Sequence, residues 1–412
     1  MTLFEFAVPP MIGHVNAALP IAAELAHRGH RVRIRLPAAF AAQARGAGAE
    51  FLPYEPPWQP SPADDPARRY AEIPLRQARD AIALLPGVLD SLAVEPYDVL
   101  VYDPLCVWGR VLAERGTAPS ALLCTTLAAN GMVSHLTSAD GPRFRQTEDA
   151  FDEAMSTLAR DMTVPAWNIV DLLHHAEDST LVLVPPSFQP ARETFDSRYH
   201  FVGPCLPEPE LGTAAPSFAD RAGARLYAAL GTIFQGWAGF LPLCYSAFRN
   251  AEWNVLVASG RETWPAGAPE NVEVRRWVDQ RRVLREADVF VTHGGMGSVM
   301  QAASSGVPMV VIPQTPEQRA SARQVAALGL GLRLERDATT SVTLRQAVAT
   351  VLGDRGFAAR SHAYRAEVVA VGGRSAAADI LERIVVLDGG SPTFRLAARV
   401  VQEVEKRFPP GR

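Results

Sequence analysis

His14 follows the apolar run Leu3–Val8 and a Pro/Gly turn at Pro9–Gly13, and it sits at the start of a helical stretch, Asn16–Arg28. An imidazole there is a candidate general base, because the positive end of a helix lowers its pKa and favours the neutral form that accepts a proton. A capping or structural role is the competing reading. Asp103 follows a second apolar run, Val99–Tyr102, so in a parallel sheet it emerges on the same edge as His14. A carboxylate on the far ring nitrogen would fix the tautomer and stabilise the imidazolium formed on proton abstraction. A turn or cap residue before Pro104 is the alternative. The chain has no G-x-S-x-G element, so a hydrolase triad is not the natural reading.

A second loop, His293–Gly294–Gly295–Met296–Gly297–Ser298, lies between an apolar run and a helical stretch. Its glycines let the backbone approach a ligand closely, and the helix behind it offers unpaired N–H groups to phosphate oxygens. The spacing is not the G-x-G-x-x-G of a dinucleotide fold. Gly231–Thr232 ends another strand of the same region, and Thr232 is placed to add a phosphate contact. Trp277 is either a core residue or a platform for a base.

These groups need sheet edges to hold them. Leu3–Val8, Asn16–Arg28 and Arg31–Leu36 read as a βαβ unit, which implies a parallel sheet. Val99–Tyr102, Ala121–Cys124 and Leu181–Val184 read as further strands. A second series begins with Arg225–Leu230, Trp253–Ala258, Val289–Thr292 and Met309–Ile312, followed by helices Pro316–Leu328, Thr343–Leu352, Ala358–Val369 and Ser375–Val385. Between the series, residues 203–218 carry four prolines and two glycines without periodicity, the mark of a linker. The fold expected is α/β, with two Rossmann-like domains facing each other across a cleft. Trp58–Pro86 suits a long loop leading into an irregular helix, and Asn130–Asp178 is polar helical sequence carrying Met132, His135, Phe144, Phe151 and Trp167. Each segment reads as a wall of a small-molecule pocket or as an ordinary surface layer.

Composition narrows the class. At 412 residues, two domains are the default. The balance of 40 Lys+Arg against 44 Asp+Glu supplies no concentrated positive surface for nucleic acid or an anionic membrane. Cys106, Cys124, Cys205 and Cys244 lie far apart, as core thiols of a reducing compartment do. Neither a signal segment nor a membrane-length apolar run is evident, which points to a cytoplasmic protein. No paired carboxylates call for a metal, and a monomer or weak homodimer is expected.

Trp277–Val278–Asp279–Gln280, Val291–Ser298, Gly306–Val307–Pro308 and Pro313–Gln318 together resemble the donor-binding signature of the inverting GT-B glycosyltransferases, the branch that includes bacterial macrolide glycosyltransferases and UDP-sugar enzymes. The resemblance spans residues 3–386. It implies a glycosyltransferase with an acceptor-binding domain over 1–207, a linker over 208–218, a nucleotide-sugar domain over 219–387 and a helical tail over 388–412. It also implies roles. Trp277 stacks on the pyrimidine, with Val278 and Gln280 at the base edge and ribose. His293, Gly295, Gly297 and Ser298 hold the diphosphate with Thr232, while Glu317 and Gln318 contact sugar hydroxyls. His14, oriented by Asp103, deprotonates the acceptor hydroxyl. Met11, Ile12, Met132, His135, Phe144 and Trp167 are the candidate acceptor contacts. The co-substrate is a nucleotide sugar, with no tightly bound cofactor, and the acceptor is a small hydrophobic molecule.

Three positions depart from the family pattern: Gly297 stands where many relatives carry Asn and keeps the tight turn, Gln301 where a glutamate grips the ribose, and Asp279 where proline is usual. Glu317–Gln318 suits a hydroxyl-rich sugar such as glucose, favouring UDP-glucose over a thymidine-linked deoxysugar. A non-catalytic glycosyltransferase-like helper and another two-domain enzyme are the competing classes.

Overall fold

The computed structural model describes residues 1–57, 66–116, 118–134, 141–207, 218–219, 222–231, 237, 239–260 and 263–387. Seven parallel strands form the first sheet, in the order β3-β2-β1-β4-β5-β6-β7. They are β1 (Leu3–Ala7), β2 (Arg31–Leu36), β3 (Glu50–Pro53), β4 (Val99–Tyr102), β5 (Ser120–Cys124), β6 (Thr180–Val182) and β7 (Tyr199–Phe201). The intervening helices are α1 (Ile12–His27), α2 (Ala41–Gly46), α3 (Pro66–Val94), α4 (Val107–Glu114), α5 (Gly141–Met162) and α6 (Ile169–Leu173). The second sheet has six parallel strands in the order β10-β9-β8-β11-β12-β13. These are β8 (Ala224–Ala229), β9 (Trp253–Ala258), β10 (Val272–Arg275), β11 (Val289–Thr292), β12 (Met309–Val311) and β13 (Gly331–Arg333). Its helices are α7 (Phe240–Phe248), α8 (Gln280–Glu286), α9 (Met296–Ser305), α10 (Pro316–Ala327), α11 (Ser341–Gly353), α12 (Arg355–Ala370) and α13 (Gly373–Leu387). Two parallel sheets flanked by helices are the α/β arrangement expected. Strands β1, β4 and β11 are buried along their whole length and apolar but for Glu5 and Thr292, as suits strands covered on both faces.

Arg31–Leu36 alternates basic and apolar residues, and its basic side is covered. Arg33 is 3% exposed, and Arg33 and Arg35 each donate from Nε to the fully buried Glu5 on β1. The segment before Pro86 is no irregular helix: α3 runs unbroken from Pro66 through Pro74 and Pro86 to Val94. Its buried stripe of Ala71, Leu75, Ala78, Ala81, Leu85 and Val88 packs in one core with residues of α4 and α5, and that packing outweighs the two missing N–H donors. The four cysteines are buried and unpaired. Residues 208–217, most of the expected linker, and the expected tail helix lie outside the described residues.

The two sheets share a core. Phe188, Phe195 and Phe201 from the first pack in one cluster with Phe290, Val299, Tyr364 and Val368 from the second. The chain then returns: α13 buries Ala377, Ala378, Ile380 and Leu381 in the core of β1 and α1. Arg28 on α1 donates to Asp379 at 2.6 Å and to Glu382 at 2.9 Å. Where the chain crosses back, the Gly373 N–H donates to the Val202 carbonyl at 2.8 Å, so both crossings lie side by side. Gly203 (φ +76°), Gly372 (φ +93°) and Gly373 (φ +53°) take left-handed backbone there.

Candidate active site

The ends of β1, β4 and β5 assemble the first group. α1 begins at Ile12, directly after the Pro9–Pro10 turn, and His14 lies in its first turn. Its Nδ1 is 2.6 Å from Oδ2 of Asp103, which is fully buried beyond β4. Asp103 is fixed in turn: its N–H donates to the Ala7 carbonyl at 3.0 Å, and its Oδ1 accepts from the Leu105 N–H at 2.9 Å. Thr125, after β5, brings its Oγ1 to 3.1 Å from the same imidazole nitrogen and donates to Asp103 Oδ2 at 3.4 Å. Sequence reading missed this hydroxyl, since a threonine after a strand carries no signal of its own. The His14 side chain is 16% exposed.

The helix end does not set the charge of His14. Burial pushes its pKa down, but the Asp103 charge and hydrogen bond, and then Glu317, carry it above its ordinary value. The expected lowering by the helix terminus is overturned by two carboxylates. Glu317 belongs to α10 of the second sheet, so the two domains meet at this imidazole. Burial raises the Glu317 carboxyl, opposed by His14 and by the Met296 N–H.

The second group surrounds the start of α9. Gly295 is the N-cap residue and offers no side-chain cap, and the Met296 N–H of the first turn meets the Glu317 carboxylate. Gly294, at φ +84°, makes the turn, and a Cβ on it would lie 2.7 Å from Val311. Gly297 makes no tight turn: it stands in the first helical turn with open space around a built Cβ. His293 is wedged between two glycines. A Cβ on Gly231 would meet its ring at 2.6 Å, and one on Gly295 at 2.5 Å. Burial depresses the His293 pKa to about 4, so the ring is neutral, and its buried Nδ1 has no hydrogen-bond partner among the described residues.

Around this loop the expected donor contacts divide. Trp277 is 55% exposed beyond β10, free of the core and open to stacking. Val278 packs partly against the shared core. Asp279 accepts from the Arg282 N–H as N-cap of α8, which explains the loss of proline there. Gln280 Nε2 donates to Ser298 Oγ at 3.2 Å and to Gln301 Oε1 at 3.0 Å. Gln318 is 2% exposed and its Oε1 accepts from the Gln314 N–H at 2.8 Å, so it is engaged with its own loop. Gln314 itself, not singled out in the sequence, has a buried amide with neither heteroatom hydrogen-bonded among the described residues. Thr232 lies outside the described residues.

The acceptor candidates separate too. Met11 and Ile12 flank His14, with Ile12 exposed, and Met132 stands out into solvent. Trp167 is instead a core residue of the α3–α5 layer, with the Arg110 guanidinium 4.2 Å above its ring. It borders an open depression with His174, His175 and Tyr199 that shares no lining residue with His14. His135 and the Phe144 side chain lie outside the described residues.

Comparison with known proteins agrees with this geometry. Residues 251–385 match the family described as erythromycin biosynthesis protein CIII-like, C-terminal domain. The chain is 32% identical to the NDP-glycosyltransferase YjiC of Bacillus licheniformis, over 92% of this chain and 97% of that protein. It is 31% identical to the oleandomycin glycosyltransferase of Streptomyces antibioticus, over 90% and 88% of the two chains. Among solved structures, the glycosyltransferase of kitacinnamycin superposes with a TM-score of 0.80 at 31% identity, covering 93% of this chain and all of that one. The calicheamicin glycosyltransferase CalG4 superposes with a TM-score of 0.79 at 30% identity, covering 93% and 98%. With two facing sheets, a buried His–Asp pair at one edge and an open helix terminus at the other, the chain belongs to the GT-B glycosyltransferases, the enzymes related to bacterial nucleotide-sugar-dependent macrolide and antibiotic glycosyltransferases.

Proposed function

We propose that this enzyme transfers a sugar from a thymidine-linked donor, a deoxysugar in particular, to a hydroxyl of a hydrophobic natural product, with inversion at the anomeric carbon. The observation that carries the reaction is the His14–Asp103 pair facing Glu317 across the cleft. Neutral His14 takes the acceptor proton on Nε2, the acceptor oxygen attacks the anomeric carbon, and the bond to the diphosphate oxygen breaks on the opposite face. Asp103 supports the imidazolium that results. N–H groups of the first turn of α9 beyond Met296 stabilise charge on the departing diphosphate. This mechanism requires an unprotonated His14, so transfer rises with pH through a midpoint above 6.5.

The donor preference rests on two side chains. Gln301 is neutral and its carbonyl is occupied by Gln280, which leaves little to grip a ribose 2′-hydroxyl. Gln318 is turned back to Gln314, which leaves fewer contacts for a hydroxyl-rich sugar. Both favour a thymidine-linked deoxysugar over UDP-glucose. A relative at 32% identity, the demethyllactenocin mycarosyltransferase of Streptomyces fradiae, is by its name a transferase of mycarosyl groups.

The test offers UDP-glucose, dTDP-glucose and dTDP-rhamnose to wild type and His14→Ala with a panel of polyketide and phenolic acceptors, products being read by mass spectrometry. Thymidine-donor product that the substitution abolishes supports the reading. Equal product from the variant removes His14 as base, and preference for UDP-glucose removes the donor assignment. A wild type that consumes no donor favours the helper class.

A further inference from the structure

α3 overhangs the first sheet. Glu95, just beyond its end, meets Arg31 and Arg33 in the lower part of β2, whereas Ser91 accepts from Arg35 near the upper end at 2.6 Å. Going backward along α3 therefore leads toward the carboxyl edge of the sheet. Asp80 lies a further eleven residues back, about 16 Å along a helix, which places it above the edge where His14 and Asp103 sit. It is 6% exposed, and its Oδ1 is buried with no hydrogen-bond partner among the described residues. The groups facing it are Tyr54 after β3, Cys106 at the head of α4 and Arg76 on its own helix. Arg76 is also hydrogen-bonded to Glu72, at 2.6 Å. Cys106 joins this spot to the base pair, since its N–H donates to the Asp103 carbonyl at 2.8 Å.

A buried carboxylate with an unbonded oxygen destabilises a fold and persists where something other than folding uses it. We propose that Asp80 is an acceptor-recognition residue that takes a hydrogen bond from a protonated amine on the acceptor and disfavours a carboxylate in the same place. This rests on the glycosyl-transfer reading above. The sign follows from the neighbours: Cys106 lies within electrostatic reach of both Asp80 and Asp103, and Glu317 interacts with His14 and Asp103, so the surroundings of the base are acidic, with His14 already paired to Asp103. An ammonium supplies both the missing donor and the missing charge, and a charge-assisted bond is roughly twice as strong as a neutral one. Burial, opposed by Arg76, pushes the Asp80 carboxyl up to about 6, so the amine preference is full at pH 8 and fades toward pH 5.

Three phenols of one carbon skeleton test this: tyramine, tyrosol and 4-hydroxyphenylacetate, whose tails end in an ammonium, a hydroxyl and a carboxylate. Each is read as an acceptor or as a competitor of transfer to an acceptor found in the panel, with wild type, Asp80→Asn and Asp80→Ser. Wild type is expected to favour tyramine over 4-hydroxyphenylacetate at least tenfold, and both variants to narrow that ratio to within threefold. The tyramine-to-tyrosol ratio should fall from pH 8 to pH 5 in wild type only, since the ratio cancels the titration of His14. The variants should melt no lower than wild type, because a buried charge that Arg76 offsets only in part has gone. Discrimination that survives in the variants, its absence in wild type, or a uniform loss with lowered melting temperature overturns the proposal. Failure of the underlying reading looks different: no nucleoside diphosphate binding and no sugar transfer to any acceptor.

Discussion

Replacing Asp103 with asparagine removes one charge from the proposed base pair and leaves its shape. The carboxylate is fully buried, 2.6 Å from His14 Nδ1 and held by the Leu105 N–H, so its bond to an imidazolium is charge-assisted and shielded from water. Hydrogen bonds to charged groups contribute about 1.5–3 kcal/mol, and the imidazolium exists only once the acceptor proton has moved. The loss therefore falls on the transition state, and kcat drops by about 10- to 150-fold at one tenfold per 1.36 kcal/mol. Thr125 remains 3.1 Å from the same nitrogen and keeps the ring in place. The pH profile carries the sharper signature. Asp103 supplies the strongest upward pushes on the His14 pKa, so without it burial prevails and the midpoint of the rising limb moves below 6.5. The assay is kcat against pH at saturating donor and acceptor, comparing the high-pH plateaus. A variant with its midpoint unmoved or raised and its plateau intact would refute the base assignment.

Glu5→Gln leaves Arg33 and Arg35 without their shared buried carboxylate. It should cost about 3–5 kcal/mol, lowering the melting temperature by on the order of 10 °C with kcat unchanged at 20 °C. Gly295→Ala places a methyl 2.5 Å from the His293 ring and should raise the donor KM at least about tenfold, as a thermally stable, folded variant in calorimetry. Trp277→Ala removes an exposed ring and should weaken nucleoside diphosphate binding by about 1–3 kcal/mol without altering stability. Unchanged affinity in titration calorimetry would show that the ring does not meet the base.

The fold and the outline of the site were legible because parallel sheets write themselves plainly. Apolar runs such as Val289–Thr292 need cover on both faces, and ligand-facing residues follow their carboxyl ends. His14 and Asp103 were found that way. What sequence hid depended on partners far away in the chain. Nothing near Arg33 and Arg35 in sequence points to Glu5 or to the cover of α3. The turning glycine is Gly294 rather than Gly297, since only the backbone angle separates neighbours of one type. Gln318 reads in sequence as a sugar ligand, and only the fold shows its Oε1 accepting from the Gln314 N–H. Asp80 lay unremarked in a stretch read as an irregular wall, because an unsatisfied carboxylate is defined by what is missing around it.

The paired crossings at Val202–Gly203 and Gly372–Gly373 bear on how the enzyme closes. A single tether lets two bodies swivel about any axis. Two adjacent tethers, joined by the Gly373 N–H to the Val202 carbonyl, act like the two plates of a door hinge. The left-handed glycines are the pins, able to absorb rotation that a side chain would block. The helix beyond them is bolted to the first sheet through Arg28. A swivel about this pair would change the separation of Glu317 on the second sheet from His14 on the first. In the proposed reaction, the two adjacent tethers would keep a donor held by the second domain in line with His14 of the first.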